Sequence, residues 1–189
     1  MFEPGLDRET WDYSFNSLDQ LTAVVKSGTT LGQYKYDANG MRANTTVGTT
    51  PTYTDFVFLG HDPLYERSKT GSTKTTTDYV YVNGRLKFTL VGSNTYYYFT
   101  DALGSVRQIW QYGSSTSATF SVQTYKPFGT AVGVSGTDQK WKYAGEMLDS
   151  ATGLYYIGAR HMDPELGRWL SLDPELGKTS APQSLNRYV

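Results

Sequence analysis

Short aromatic strands that end in a polar turn recur along this chain of 189 residues, and they constrain its fold more than any other feature. The clearest copy reads Tyr34-Lys-Tyr36-Asp37-Ala-Asn-Gly40-Met-Arg42. Tyr34 and Tyr36 share one face of a strand, because side chains alternate along it. The residues from Asp37 to Gly40 are typical of a tight turn in which a glycine takes a positive φ. Segments of this kind predict antiparallel hairpins.

Weaker copies extend the pattern along the chain. One lies at residues 13–21, and another joins Tyr79 and Tyr81 to an Asn83-Gly84 pair, the strongest short hairpin signal. With 19 Gly and 7 Pro in the chain, long helices are not expected. We therefore predict an all-β fold with a compact, turn-rich C-terminal part. An ordinary meander whose tyrosines fill one sheet face is an equally good explanation of the repeats.

Charge and composition argue against several kinds of function. Lys and Arg total 17 against 18 Asp and Glu, a net charge of −1 without a basic stripe, so nucleic acid is not expected as a partner. No apolar run approaches the roughly 20 residues that span a bilayer, and no signal peptide is visible. The absence of Cys excludes disulfides and thiolate chemistry. His61 and His161 lie in unrelated motifs, so neither a metal nor a cofactor is expected.

Two stretches rich in small polar residues are predicted to form hairpin tips or surface loops. They are residues 68–77, with Thr, Ser, Gly and Lys, and residues 113–119, with Ser. Strand-like sequence resumes on both sides of each stretch, so neither is expected to be a linker between domains.

The second half of the chain carries ordered motifs. They are Tyr98-Phe-Thr-Asp101-Ala-Leu-Gly104-Ser-Val-Arg107, Tyr125-Lys-Pro127-Phe-Gly129, Gly145-Glu146, Thr152-Gly153-Leu-Tyr155-Tyr156, Arg160, Asp163-Pro164-Glu-Leu-Gly167-Arg168-Trp169, Asp173-Pro174 and Asn186-Arg187-Tyr188. In this order they closely resemble the core domain associated with bacterial and archaeal Rhs or YD-repeat proteins, which are relatives of the teneurins. The segment from Tyr34 to Arg42 resembles a YD repeat. The resemblance divides the chain into hairpins at 1–95 and a core at 96–189, packed as one unit.

The resemblance implies a large antiparallel β-sheet that curls into a hollow shell, with the core closing one end. Many proteins of this kind carry a toxic C-terminal piece that self-cleavage releases, and this chain resembles the last repeats plus the core. We expect a structural shell or surface scaffold unit, extracellular or at the cell surface, and not an enzyme. The alternatives are part of a toxin-delivery shell with a self-processing core, and a glycan- or partner-binding module.

The residues expected to build this fold are those of the repeated motifs. They are Tyr34, Tyr36, Asp37, Gly40, Arg42, Asp101, Gly104, Arg107, Pro127, Gly129, Gly153, Tyr155, Arg160, Asp163, Pro164, Gly167, Asp173 and Pro174.

Asp163 and Asp173 are the weak catalytic candidates. The resemblance implies self-cleavage of the aspartyl-protease type, in which two nearby carboxylates share a proton. The simpler interpretation is that each carboxylate caps its own Asp-Pro turn. The second half of the family's cleavage motif is missing here, which favours the simpler interpretation. Arg107 and Arg160 are candidates for structural ion pairs with carboxylates such as Asp101 and Asp163.

Copies of the chain are the partner that the strand count suggests. Too few strands are present to close a shell, so edges with unpaired backbone groups are expected, and copies could join there into a non-covalent filament. In the competing picture, loops such as residues 68–77 cover the edges of a monomer. A C-terminal toxin and surface glycans are the remaining partners considered. The tyrosines at 34, 36, 79, 81 and 96–98 are predicted to form cross-strand pairs, or to stack on sugars where exposed.

Overall fold

The computed structural model describes residues 9–113, 120–137, 139–158, 160–173, 177–180 and 182–188. Within these ranges the chain forms sixteen β-strands and two short turns of 3₁₀ helix. The strands make two antiparallel sheets, one of twelve strands and one of four. The predicted all-β, antiparallel fold is therefore confirmed.

The large sheet is a meander in which each strand pairs with its neighbours in the chain. Its strands are β1 (Trp11–Phe15), β2 (Leu21–Lys26), β3 (Thr29–Tyr36), β4 (Arg42–Val47), β5 (Thr52–Leu59), β6 (Asp62–Thr70), β7 (Thr73–Val82), β8 (Arg85–Val91), β9 (Asn94–Thr100), β10 (Val106–Gln111), β11 (Phe120–Tyr125) and β12 (Ala131–Gly136). The predicted boundary between residues 95 and 96 falls inside β9, since the sheet continues without a break into the core.

The small sheet comes last in the chain. Its strands are β13 (Met147–Asp149), β14 (Leu154–Ile157), β15 (Arg160–Asp163) and β16 (Arg168–Trp169). The 3₁₀ turns lie on either side of it, at Tyr143–Gly145 and Pro182–Leu185. We call the described residues between 139 and 188 the C-terminal segment.

The turn after β3 has the geometry that its sequence predicts. The Asp37 Oδ1 atom accepts hydrogen bonds from the backbone N–H groups of Asn39 and Met41, both at 2.9 Å. Gly40 has a φ of +81° and donates its N–H to the Asp37 carbonyl. Asp and Gly are therefore needed here for separate reasons, one as a short acceptor and the other because it has no Cβ.

The same turn recurs between β9 and β10. Asp101 Oδ1 accepts from the N–H groups of Leu103 and Ser105, at 3.1 and 2.9 Å, and Gly104 has a φ of +98°. The weaker repeat at residues 13–21 builds the turn with Asn16 as the acceptor. A local sequence motif thus sets each of these three reversals of the chain.

The Thr-rich stretch at residues 68–77 forms a hairpin tip, one of the two forms that its sequence predicts, and the strands extend further into it than a loop would. Most of it belongs to β6 and β7, and only Gly71 and Ser72 form the turn. Thr is a good strand residue because its branched Cβ packs well on a pleated surface. This hairpin is therefore an extended part of the sheet. The other predicted loop lies outside the described residues at positions 114–119.

One face of the large sheet, which we call the covered face, packs against the C-terminal segment. On β9 and β10 the side chains of Tyr98 and Ile109 are buried on this face, whereas Tyr97 and Phe99 point outward and are exposed. The buried side chains of the sheet share one hydrophobic cluster with Trp141, Met147 and Tyr156 of the C-terminal segment. The large sheet and the C-terminal segment thus share one hydrophobic cluster.

The C-terminal segment contacts both ends of the large sheet. The N–H of Leu172 donates to Asp19, in the turn after β1, at 2.9 Å, and the Tyr155 hydroxyl donates to the Gly129 carbonyl, in the turn before β12, at 2.9 Å. Strands lie about 4.8 Å apart, so twelve of them laid flat would span roughly 53 Å against roughly 14 Å for four. The large sheet is therefore curled around the C-terminal segment.

Candidate functional site: the junction of the covered face and the C-terminal segment

Arg42, the last residue of the YD-type motif, lies at the centre of this junction. Its side chain is 4% exposed, and its guanidinium carbon is 4.1 Å from the Tyr156 ring centroid. The rings of Phe56 and Tyr34 lie at 5.5 and 5.7 Å. Among the described residues no carboxylate forms an ion pair with Arg42. Three aromatic rings therefore provide the electrostatic compensation that a carboxylate usually provides for a buried arginine.

His161 on β15 packs against the same arginine. Its Nε2 atom is 3.5 Å from Arg42 Nη1, and its ring lies 4.7 Å from the Tyr34 ring and 5.2 Å from the Tyr156 ring. Burial, together with the Arg42 charge, holds the pKa of His161 well below its ordinary value. The imidazole is therefore neutral and serves as a packing group at this site.

Tyr34 connects β3 to the small sheet. Its hydroxyl donates to Asp149 Oδ2 at 2.7 Å and lies 3.3 Å from the Thr152 hydroxyl. Burial and the neighbouring Asp149 carboxylate raise the pKa of Tyr34 above its ordinary value. The phenol therefore stays protonated and remains a hydrogen-bond donor.

An ion pair with a buried carboxylate joins the middle of the large sheet to the start of the C-terminal segment. Glu66 on β6 is 4% exposed and binds Lys140. Lys140 also lies 5.7 Å from the Phe56 ring, whereas Tyr79 packs edge-on against Trp141 with ring centroids 5.4 Å apart. These contacts hold residues 140 and 141 over the centre of the covered face.

A cleft of about 470 Å³ remains between the covered face and the C-terminal segment. Buried threonine side chains from four strands contribute to its wall, at positions 45, 54, 77 and 89. Arg42 and Lys140 also line it, and among the described lining residues there is no histidine. The wall thus offers hydroxyl groups, two cations and the carboxylates of Glu66 and Asp149.

The two candidate catalytic carboxylates have separate structural partners. Asp163 Oδ1 accepts the N–H groups of Glu165 and Leu166, at 2.8 and 3.1 Å, as the capping interpretation requires. Asp173 Oδ2 instead accepts from Arg160 Nη2 at 2.7 Å. Arg160 therefore forms its ion pair with Asp173. The sequence had suggested Asp163 as one of its partners.

The remaining motif residues support turns and close contacts. The Pro127 carbonyl accepts from the Tyr143 hydroxyl at 2.8 Å, and Arg107 lies 6.0 Å from the Tyr125 ring. A Cβ on Gly167 would meet the Phe128 ring at 2.5 Å, so only glycine fits there. The Tyr36 hydroxyl donates a hydrogen bond to the Leu21 carbonyl on β2. Gly153 has a φ of +74°, and Pro164 lies in the turn after β15. Pro174 lies outside the described residues.

One member of the predicted tyrosine ladder, Tyr97, contacts its cross-strand partner Phe88 with ring centroids 5.7 Å apart, whereas two others contact the C-terminal segment. Tyr34 meets His161, and Tyr79 meets Trp141. Tyr34, Tyr79 and Tyr98 are all buried, so their rings are not free to stack on a sugar. Sequence reasoning missed Glu66 and Lys140, whose pairing across 74 positions leaves no local signal.

The described part of the chain contains no cluster of three or more His, Cys, Asp or Glu residues that could hold a metal ion. Within the same ranges, no helix is long and apolar enough to cross a membrane.

A long antiparallel meander, wrapped around a small C-terminal sheet and joined to it by tyrosines and a buried arginine, defines a YD-type β-shell protein. The family model described as the teneurin YD-shell matches residues 5–189, and the chain belongs to this family. The resemblance recognised in the sequence is therefore confirmed.

Known relatives and solved structures share this region. The tRNA3(Ser)-specific nuclease WapA of Bacillus spizizenii is 32% identical over 183 residues, which is 94% of this chain and 8% of that protein. Toxin subunit YenC1 of Yersinia entomophaga is 43% identical over 65 residues, 31% of this chain and 7% of that subunit. The crystal structure of TcdB2-TccC3 superposes with a TM-score of 0.72 at 21% identity, covering 94% of this chain and 10% of that one. The chain thus spans a tenth or less of these proteins.

Proposed function

We propose that this chain is a structural unit of a β-shell, in which the C-terminal segment sets the curvature of the large sheet, and that it is not an enzyme. The observation that carries the proposal is the contact of this segment with both ends of the sheet. The relatives include toxin subunits and WapA nucleases, and the region in common is a small part of each. We therefore place this unit in the shell of a toxin-delivery protein, outside the producing cell, and not in the toxin.

The surroundings of the candidate carboxylates support a structural role. The Asp163 carboxylate is engaged by backbone N–H groups, and the Asp173 carboxylate by a guanidinium. A proton-sharing pair of carboxylates needs the two groups beside each other, and these two have different partners. Self-cleavage is the alternative that this arrangement favours least.

Mass spectrometry of the intact chain tests the absence of catalysis. We expect the mass to stay unchanged on prolonged incubation from mildly acidic to mildly alkaline pH. A cut after residue 173 that is abolished by Asp173→Asn would establish self-processing and contradict the proposal. Glu165→Gln, which changes an exposed carboxylate in the turn between β15 and β16, is the matched control. Incubation with tRNA checks the activity named for the WapA relatives, and we expect the tRNA to remain intact.

Association through the sheet edges is a second candidate function. Within the described residues, β12 pairs only with β11 and β1 pairs only with β2. Val132 and Val134 on β12 are 38% and 45% exposed, so an apolar edge is accessible. A second copy could pair its backbone with such an edge, and a contact of this kind that does not close on itself produces a filament.

Light scattering and electron microscopy at micromolar concentration test this association. We expect larger species that disappear in Val134→Lys, because a charged edge residue opposes strand pairing. A particle that stays monomeric at every salt and protein concentration would exclude the filament and leave the shell unit intact.

A further inference from the structure

A second cavity, of about 440 Å³, lies where turns of the large sheet meet the beginning of the C-terminal segment. Two carboxylates line it, one from each of these two parts of the chain. Asp62 is the first residue of β6, and Glu146 directly follows the 3₁₀ turn at Tyr143–Gly145. The cavity thus brings together an acidic residue of the sheet and an acidic residue of the C-terminal segment, both of them half-buried.

The other polar groups around this cavity do not neutralise the two carboxylates. Arg85 lines the cavity, but its guanidinium donates to the carbonyls of Asp101 and Ala102, at 3.2 and 2.8 Å. His61 is exposed at the rim. No described cation forms an ion pair with Glu146 or Asp62.

Two tyrosines complete the surroundings of Glu146. Tyr156 of β14 and Tyr81 of β7 line the cavity, and the Tyr81 hydroxyl is buried without a hydrogen-bond partner. A phenol oxygen of this kind can accept a hydrogen bond as well as donate one.

We propose that Glu146 and Asp62 form a proton-operated latch, which fastens the C-terminal segment to the large sheet in mild acid and loosens it as the solution becomes neutral and then alkaline. Binding of one proton converts the Glu146 carboxylate into a carboxylic acid, whose O–H is a donor for the acceptors in the cavity, the Asp62 carboxylate and the Tyr81 oxygen. Loss of that proton leaves two negative charges in one cavity, where they repel each other.

The direction of the pH effect follows from the surroundings of Glu146. Burial first, and then the charge of Asp62, raise the pKa of Glu146 from 4.5 to about 7. Because the folded state binds the proton more tightly than the open state does, the latch is strongest below about pH 4.5 and is lost as the pH rises through about 7. The transition falls close to physiological pH.

Hydrogen exchange of the full chain tests the latch locally. The N–H of Val106 donates to the Lys142 carbonyl, and the N–H of Lys142 donates to the Glu146 carbonyl, so both amides report on opening of this junction. After correction for the intrinsic pH dependence of exchange, we expect the opening constant to rise by up to about tenfold per pH unit between about pH 4.5 and 7. A carbon-13 titration should place the Glu146 carboxyl midpoint near 7.

Three variants separate the latch from a general effect of acidity. Glu146→Gln should remove the rise in the opening constant between about pH 4.5 and 7 and keep the junction closed in alkali. Asp62→Asn should reduce the response without abolishing it, because burial is the larger cause of the shift. Glu165→Gln, at an exposed position, should leave the response unchanged.

A carboxyl midpoint near 4.5, or a wild-type response that persists in Glu146→Gln, would overturn the proposal. Should Glu146→Gln fail to fold, the titration of the wild-type carboxyl and the response of Asp62→Asn still decide the matter. None of these outcomes depends on whether the chain belongs to a toxin shell.

Discussion

Tyr155 and Tyr156 are consecutive residues of β14, yet their hydroxyl groups bind parts of the large sheet that lie seven strands apart. The Tyr155 hydroxyl donates to the Gly129 carbonyl, after β11, and the Tyr156 hydroxyl accepts the N–H of Arg42, on β4, each at 2.9 Å. In a flat sheet those strands would be roughly 34 Å apart. Consecutive side chains of a strand point to opposite faces, so β14 lies between two walls of one curled sheet.

Removal of either hydroxyl should weaken the fold. In Tyr155→Phe the carbonyl of Gly129 loses its donor, and in Tyr156→Phe the N–H of Arg42 loses its acceptor. Both groups are buried, so we expect each change to lower the free energy of unfolding by about 1–3 kcal/mol. Urea unfolding measures this. Tyr112→Phe removes an exposed hydroxyl and is the control, expected within about 0.5 kcal/mol of wild type. Equal stability of all three variants would contradict the role of β14.

The planar shape of Arg42 should matter more than its charge. Arg42→Lys keeps a positive charge in the buried site but loses the flat stacking on Tyr156. Arg42→Met removes the charge and fills much of the same space. Because a buried charge without a carboxylate partner is costly, we expect Arg42→Lys to be the less stable of the two. Thermal melts of both variants test this order, and the reverse order would show that the charge itself is required.

His161 should make the chain less stable in acid. Its pKa is lowered in the folded state by burial and then by Arg42, so below about pH 6.5 the unfolded chain binds a proton that the folded chain does not. The free energy of unfolding should therefore fall with decreasing pH, by up to about 1.4 kcal/mol per unit for this group.

The opposite response of Glu146 must be removed before this effect is measured. Unfolding should be followed in a Glu146→Gln background, where His161→Gln is expected to flatten the acid response and His61→Gln, at an exposed position, is not. Identical acid responses of the two histidine variants would show that His161 is not the group responsible.

The turns were predictable from sequence because their causes are local. Asp37 and Asp101 cap their own turns, and Gly40 and Gly104 take the positive φ that the motif requires. The junction was not predictable in the same way. Nothing near Glu66 in the sequence points to Lys140, and nothing near His161 points to its burial beside Arg42.

The Thr-rich hairpin shows a different limit of sequence reasoning. Residues 68–77 have the composition of a loop, but β propensity and pairing with both neighbouring strands make most of them strand. Among them only Thr77 is buried, and it lines the cleft beneath the C-terminal segment, which is distant in sequence.

A positive φ makes Gly153 difficult to replace. Its φ is +74°, and a Cβ there would meet no atom within 4 Å, so the cost of substitution comes from the backbone alone. Gly153→Val should destabilise the fold by about 1–3 kcal/mol, whereas Gly153→Asn should cost less, since Asn tolerates this region. Thermal melts of the two variants compare them. A valine variant as stable as wild type would show that the turn between β13 and β14 is not held in this conformation.

Proton NMR of the full chain tests the central claim, that one large sheet curls around the C-terminal segment. The account predicts, in a single sample, nuclear Overhauser contacts between the Tyr156 ring and the Arg42 side chain and between the Tyr155 ring and Gly129. Both sets should persist on dilution, because they lie within one molecule. Contacts from only one of the two tyrosines, or contacts that vanish on dilution, would contradict the curled sheet.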